Sequence, residues 1–250
     1  MSLLVHRPAQ GGRAPGKGPP AQGQIISGQM SRMQNQSLKP ETTHCEGKAT
    51  PVERASRLTT QSDDLAKKVD FAKKIDQAQR QVVLLKSRSE ILLREYVRAQ
   101  LVSQEEPFGQ PDFIPPARLI PGLPSPDISP EAWIGLTDAE RLRQNYTAYA
   151  VLPDHLHTVL LWQRELNPRA THLLELLESA ILQAQGLDSN LAVLLQTVGC
   201  HLPTVPAPPK LSASNHFQEK VSGYNVCRVY HQWICRTERD FGLMAKKYPL

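Results

Sequence analysis

The sequence predicts an all-α protein: a long-chain four-helix bundle with up-up-down-down topology. Three observations predict it. Four long segments carry apolar residues at steps of three and four, the spacing of one helix face. Capping residues and prolines fall at the ends of those segments. The connections run long, short, long, with over thirty, a few and about thirteen residues. The short join makes its two helices antiparallel neighbours. Thirteen extended residues cover about 40 Å, enough to run the length of a bundle. Long, short, long therefore favours up-up-down-down over up-down-up-down.

The chain has 250 residues, room for one or two domains with a sizeable core. Residues 1–60 hold Gly, Pro, Gln, Ser and Thr without apolar periodicity and are expected to be a disordered leader. Residues 61–250 are expected to form the helical domain. Its first helix spans about 63–102, capped by Ser62 or Asp63, with Leu65, Val69, Ala72, Ile75, Gln79, Val82, Leu85, Ser89, Leu92 and Tyr96 along one face. Gln79 and Ser89 weaken that seam, and the stripe is broader than a coiled-coil line.

Residues 103–135 contain eight prolines, and no regular element is expected there. Phe108, Phe113, Ile114, Leu119, Ile120 and Trp133 are interspersed, so this crossover should pack along the domain. Thr137 to Glu140 reads as a capping box opening a second helix over about 137–164, kinked at Pro153. Asn167-Pro168 reads as a cap and first-turn proline for a third, leucine-rich helix over about 168–198.

The last helix is expected over about 212–248, capped by Ser212 or Ser214. Val226, Tyr230, Trp233, Phe241, Met244 and Tyr248 form its stripe, widened by Cys227 and Ile234. Stepping that stripe back reaches Gly223, Glu219 and His216 but misses Phe217. Phe217 therefore falls outside the buried face, with Lys220 one turn on and on nearby surface. An aromatic there contacts either a loop or neighbouring helix, or a binding partner.

Composition excludes several function classes. The net charge of +5 is modest and spread out, and the basic spots Lys67–Lys68 and Lys73–Lys74 lack interleaved aromatics, so no nucleic acid is expected. No apolar run reaches transmembrane length, and no membrane insertion is expected. Leu3, Leu4 and Val5 are too short for a signal-peptide core. The four cysteines show neither a disulfide framework nor a zinc spacing, and Cys227 and Cys235 lie two helical turns apart and cannot bridge each other. None of the eight histidines sits in a metal motif. No phosphate loop or acidic pair with a base partner appears. No enzyme, no cofactor and no metal are expected. Asn35-Gln36-Ser37 and Asn145-Tyr146-Thr147 are glycosylation sequons.

Three stretches carry a likeness to a known family. Pro107-Phe108, Pro111-Asp112-Phe113 and Pro115-Pro116 stand in the crossover. Trp133, Leu136, Leu142, Asn145 and Ala148-Tyr149 open the second helix. Phe217-Gln218-Glu219-Lys220, followed by Trp233, Arg236 and Asp240, marks the last. Over about residues 60–247 the chain resembles the interleukin-6-type cytokines, in the branch of ciliary neurotrophic factor and cardiotrophin-like cytokine. The resemblance implies a ligand that assembles cell-surface receptors and triggers JAK-STAT signalling. It implies that Phe217 and Lys220 meet a LIF-receptor-type subunit or a second shared subunit, and that faces of the first and third helices meet gp130. Trp133, Arg236 and Asp240 would meet a CNTF-type alpha receptor. Residue chemistry alone also allows loop or core packing for the two tryptophans and a helix pair for Arg236 and Asp240. The resemblance implies extracellular action, by cytoplasmic storage and non-classical release or from a misassigned N-terminus. The rival reading is a cytosolic helical adaptor that docks through a coiled coil on the first helix.

Overall fold

A computed structural model describes residues 51–102, 108, 110 and 113–250 of the chain. The leader expected over residues 1–60 lies, up to residue 50, outside the described residues. The compact unit Ala49–Leu250 holds the helices. They are α1 (Pro51–Val102), α2 (Pro130–Gly135), α3 (Asp138–Tyr149), α4 (Leu152–Leu166), α5 (Thr171–Thr197) and α6 (His216–Lys247).

The first helix begins at Pro51 rather than near residue 63. A proline suits a first turn because its missing N–H would be unpaired there anyway. Residues 52–62 hold no further proline and no glycine, so a helix nucleated by packing propagates back through them. Its buried face runs from Phe71 through Ile75, Val82, Leu85, Leu92 and Tyr96. Leu65 and Val69, expected on that face, are exposed. The weak point of the seam, Ser89, is buried and satisfied: its hydroxyl donates to Lys86 O at 2.8 Å and lies 2.8 Å from His231 Nδ1.

The second predicted helix is two. α3 ends at Tyr149 and α4 restarts at Leu152 with Pro153 in its first turn. Proline has no N–H to give, and its ring would strike the carbonyl four residues back, so the chain breaks instead of bending. The capping box forms as expected: Glu140 N donates to Thr137 Oγ1 at 3.2 Å and Thr137 N to Glu140 Oε2 at 2.8 Å. The Thr137 backbone N–H, and the Thr137 hydroxyl donating to Oε2 at 2.8 Å, hold the Glu140 carboxyl below its usual range.

Asn167 does not cap the third helix. Its backbone N–H donates to Gln163 O at 2.8 Å, closing α4, and its amide nitrogen donates to Gln163 Oε1 at 2.8 Å and Gln100 Oε1 at 3.2 Å. Those glutamines claim the side chain, and α5 starts without a side-chain cap. It runs unbroken through Gly186 and ends in a Schellman turn, Cys200 N to Leu195 O and Gly199 N to Gln196 O, with Gly199 at φ 72°. Asn215, not a serine, caps α6, accepting from Gln218 N at 2.9 Å. One short helix was not foreseen. Ser129 caps α2 and Pro130 takes its first turn, a start signal lost among the surrounding prolines.

α1 packs against α5 and α6, and the α3–α4 pair packs against the same two. Partner numbers run oppositely along α1 and α6, with Phe71 against Tyr248, Lys86 against Glu238 and Tyr96 against Lys220. They do so along α1 and α5 as well, with Lys74 against Thr197 and Asn190 against Gln81.

Tyr96 lies so close to α6 that a Cβ on Gly223 would stand 2.1 Å from its hydroxyl oxygen. That ring is fully buried and its hydroxyl donates to Lys220 O, so it has nowhere to retreat. Gly223→Ala should cost about 1–3 kcal/mol in urea unfolding, the usual range for overpacking. At Gly242 the nearest atom, Gln79 Nε2, is 3.8 Å from such a Cβ. There the same change should gain up to about 1 kcal/mol, the helix propensity difference. Equal effects at both positions would show that the Tyr96 contact sets no limit.

Candidate functional site

Both ends of α6 carry candidate chemistry. The crossover connects them by running along α6 in the same direction. Asn225 Nδ2 donates to Pro116 O at 2.9 Å, Trp233 Nε1 to Pro124 O at 3.1 Å and Arg236 Nη1 to Pro126 O at 3.4 Å. Proline carbonyls can only accept, so a proline-rich strap needs donors from the helix beneath it.

At the head of α6, Phe217 keeps 40 % of its surface exposed. It is backed by two crossover rings. Phe108 lies 6.2 Å away and Phe113 6.4 Å between centroids, while those two meet each other edge-on at 5.2 Å. Phe108 is buried. The helix end below is rigid: besides the Asn215 cap, Ser214 N donates to Gln218 Oε1 at 3.1 Å and His216 Nδ1 lies 3.0 Å from Glu219 Oε2. Lys220 was expected on surface beside Phe217 but is 3 % exposed. α6 is covered by α1 on one side and by the crossover on another, so its buried face is wider than a stripe. Hydropathy spacing does not see that second cover.

At the other end sits a buried polar knot centred on Asp240, which has no exposed surface. Its Oδ1 accepts from Trp133 Nε1 at 2.7 Å and Arg141 Nη1 at 2.9 Å, and its Oδ2 from Asn145 Nδ2 at 2.8 Å. Arg236 Nε stands 3.9 Å from Oδ2. The Arg141 guanidinium also donates to Trp133 O and lies 4.7 Å over the Trp133 ring. Arg236 donates to Gln144 Oε1 and lies 4.8 Å over Trp233. Burial pulls the Arg236 guanidinium below its usual range. Thr237 Oγ1 bonds Asn145 Oδ1 at 2.6 Å and Tyr149 Oη at 2.8 Å.

Of the residues expected to meet a partner here, only Trp133 is part-exposed. Arg236 and Asp240 are sealed; Asp240 holds the Trp133 indole N–H from beneath, while Arg236 lies over Trp233 instead. The i, i+4 pair read from sequence is thus the weakest contact of the knot. Arg141, Asn145 and Gln144 were missed as a group. Asn145 stood among the family-like positions, but polar residues next to Leu142 look solvated until the fold sets Asp240 beside them. Among the described residues no group of His, Cys, Asp or Glu could hold a metal, and no helix is long and apolar enough to cross a membrane.

Residues 57–249 match the family described as Plethodontid receptivity factor. The chain is 39 % identical to cardiotrophin-1 of Mus musculus over 181 residues, covering 69 % of this chain and 85 % of that protein. It is 34 % identical to cardiotrophin-2 of Mus musculus over 178 residues, 70 % of this chain and 84 % of that one. Ciliary neurotrophic factor of Sus scrofa matches at 26 % over 166 residues, 64 % and 78 % of the two chains. The chain belongs to this family, the ciliary neurotrophic factor and cardiotrophin branch of the interleukin-6-type cytokines. This cytokine is a non-catalytic, extracellular signalling protein. Membership selects the signalling reading over the cytosolic adaptor.

Removing the knot's carboxylate leaves two buried guanidinium groups uncompensated. Asp240→Ala should therefore cost about 3–5 kcal/mol in urea unfolding. A loss near zero would show that α2 and α3 are held on α6 by other contacts.

Proposed function

We propose that this cytokine triggers JAK-STAT signalling by joining a gp130-type receptor chain to a LIF-receptor-type subunit. The single observation that carries the reading is the half-exposed Phe217 ring. It stands on a capped helix end, backed by Phe108 and Phe113. An aromatic held in one place loses little freedom on binding and makes a natural anchor. The Phe-x-x-Lys pattern at Phe217 and Lys220 supports assigning that end to the LIF-receptor-type subunit. Lys220 then acts as support below the ring rather than as a contact.

Outer faces of α1 and α5 are the proposed gp130 surface. Exposed Leu84 on α1 and Leu182 on α5 supply apolar area there. The surface around Trp133, at the end of the crossover, is the proposed contact for a CNTF-type alpha receptor, with Asp240 holding the Trp133 indole and Arg236 sealed over Trp233. The helical unit from residue 49 onward is the signalling module, with up-up-down-down topology. That topology is supported by the opposed residue order between α1 and both α5 and α6, and by the long, short, long connections.

Phe217→Ala should melt with the parent protein. It should need about tenfold or more protein to phosphorylate STAT in responsive cells, the loss expected of a hot-spot aromatic. Unchanged potency would overturn the anchor assignment. A collapsed melting temperature would show instead that the ring serves the fold.

A further inference from the structure

Asn145-Tyr146-Thr147 has the form that N-glycan transfer requires. In the folded protein its asparagine is 1 % exposed. Its amide has no hydrogen to spare. Nδ2 donates to Asp240 Oδ2 and to Arg141 O, each at 2.8 Å, while Oδ1 accepts from Thr237 Oγ1 at 2.6 Å.

Glycan transfer rewrites that group. The amide nitrogen attacks C1 of a lipid-pyrophosphate-linked oligosaccharide and forms an N–C1 bond. The C1–O bond breaks, lipid pyrophosphate leaves with the electron pair, and one amide proton is given up. The product keeps a single N–H. At least one of the two donated bonds is lost, next to two guanidinium groups that depend on the same carboxylate. The sugar would also have to leave through space filled by Arg141, Thr237 and Tyr149, all buried.

We propose that Asn145 is a modification site at which N-glycosylation and folding exclude each other. Once folded, the domain seals the amide from any transferase. Once modified, the unfolded chain cannot close the Asp240 knot. The folded cytokine therefore carries no glycan at Asn145, and a chain glycosylated there is a dead end. A second observation fits this division. Among the described residues Cys200, Cys227 and Cys235 are unpaired, so an oxidising compartment offers these three thiols no pairing with one another that the fold uses.

Thr147 makes the test clean. Its hydroxyl donates to Arg143 O at 2.9 Å, one turn back on its own helix and away from Asp240. Thr147→Ala therefore destroys the sequon and leaves the Asn145 amide in place. Made in bacterial cytosol, the Thr147→Ala protein should melt with the parent. Both full chains are then placed behind a cleavable signal peptide, each carrying Asn35→Gln to remove the other sequon, and expressed in secretory cells. The parent should show a mass shift that endoglycosidase H removes, and the shifted species should be protease-sensitive and retained. The Thr147→Ala chain should be unshifted, protease-resistant and secreted. A shifted parent that is secreted and protease-resistant overturns the proposal. So does a parent that acquires no glycan, and so does a Thr147→Ala chain retained like the parent.

Discussion

One carboxylate ties three parts of the chain together. Asp240 on α6 accepts from Trp133 of α2 and from Arg141 and Asn145 of α3, all in a site closed to water. A buried ion pair seldom adds net stability over a well-packed apolar core, because desolvating both charges offsets their attraction. What it adds is uniqueness. Only one register of α3 on α6 gives the carboxylate its donors, and any slip leaves a charge unpaired. Two guanidinium groups share that carboxylate, and the rest of their charge is spread over carbonyl oxygens and the faces of Trp133 and Trp233.

The crossover inherits its path from that anchor. It is tied down by α2 at its end and by Asn225, Trp233 and Arg236 along the way, each offering a donor to a proline carbonyl. A proline-rich segment cannot pair with itself in a ladder, so its course depends on what lies beneath it. This strap brings Phe108 and Phe113 to Phe217 at one end of α6 and Trp133 to Asp240 at the other. The two surfaces proposed for receptors are thus set by one connection and one helix. Preorganised surfaces of this kind spend less binding energy on ordering themselves.

A second polar layer crosses the bundle near the head of α6. Asn167 donates to Gln100 and Gln163, Gln163 donates to the Tyr96 hydroxyl, and Tyr96 donates to Lys220 O. Each buried group has a partner, the condition under which such a chain rigidifies a core rather than weakening it. It explains why Gly223 is bare. The tyrosine must reach the α6 backbone, and any side chain there would push it away.

The sequence by itself determined the helical class, the buried stripes of the long helices and the off-stripe position of Phe217. Periodicity and caps are local properties, and apolar burial follows them wherever one face meets one partner. It also marked Pro153 as a point of irregularity, expected as a kink, where the structure has two separate helices. The tertiary structure decided what local rules cannot reach. Lys220, by its helical position beside Phe217, and Arg236 and Asp240, as charged partner contacts, read as surface residues, yet they are sealed once the crossover covers a second face of α6. Arg141 and Asn145 gained meaning only when Asp240, about a hundred residues away, came within 3 Å of both. Charge in one dimension reads as exposure. In three dimensions it can be buried wherever the fold supplies its counter-charge and hydrogen bonds.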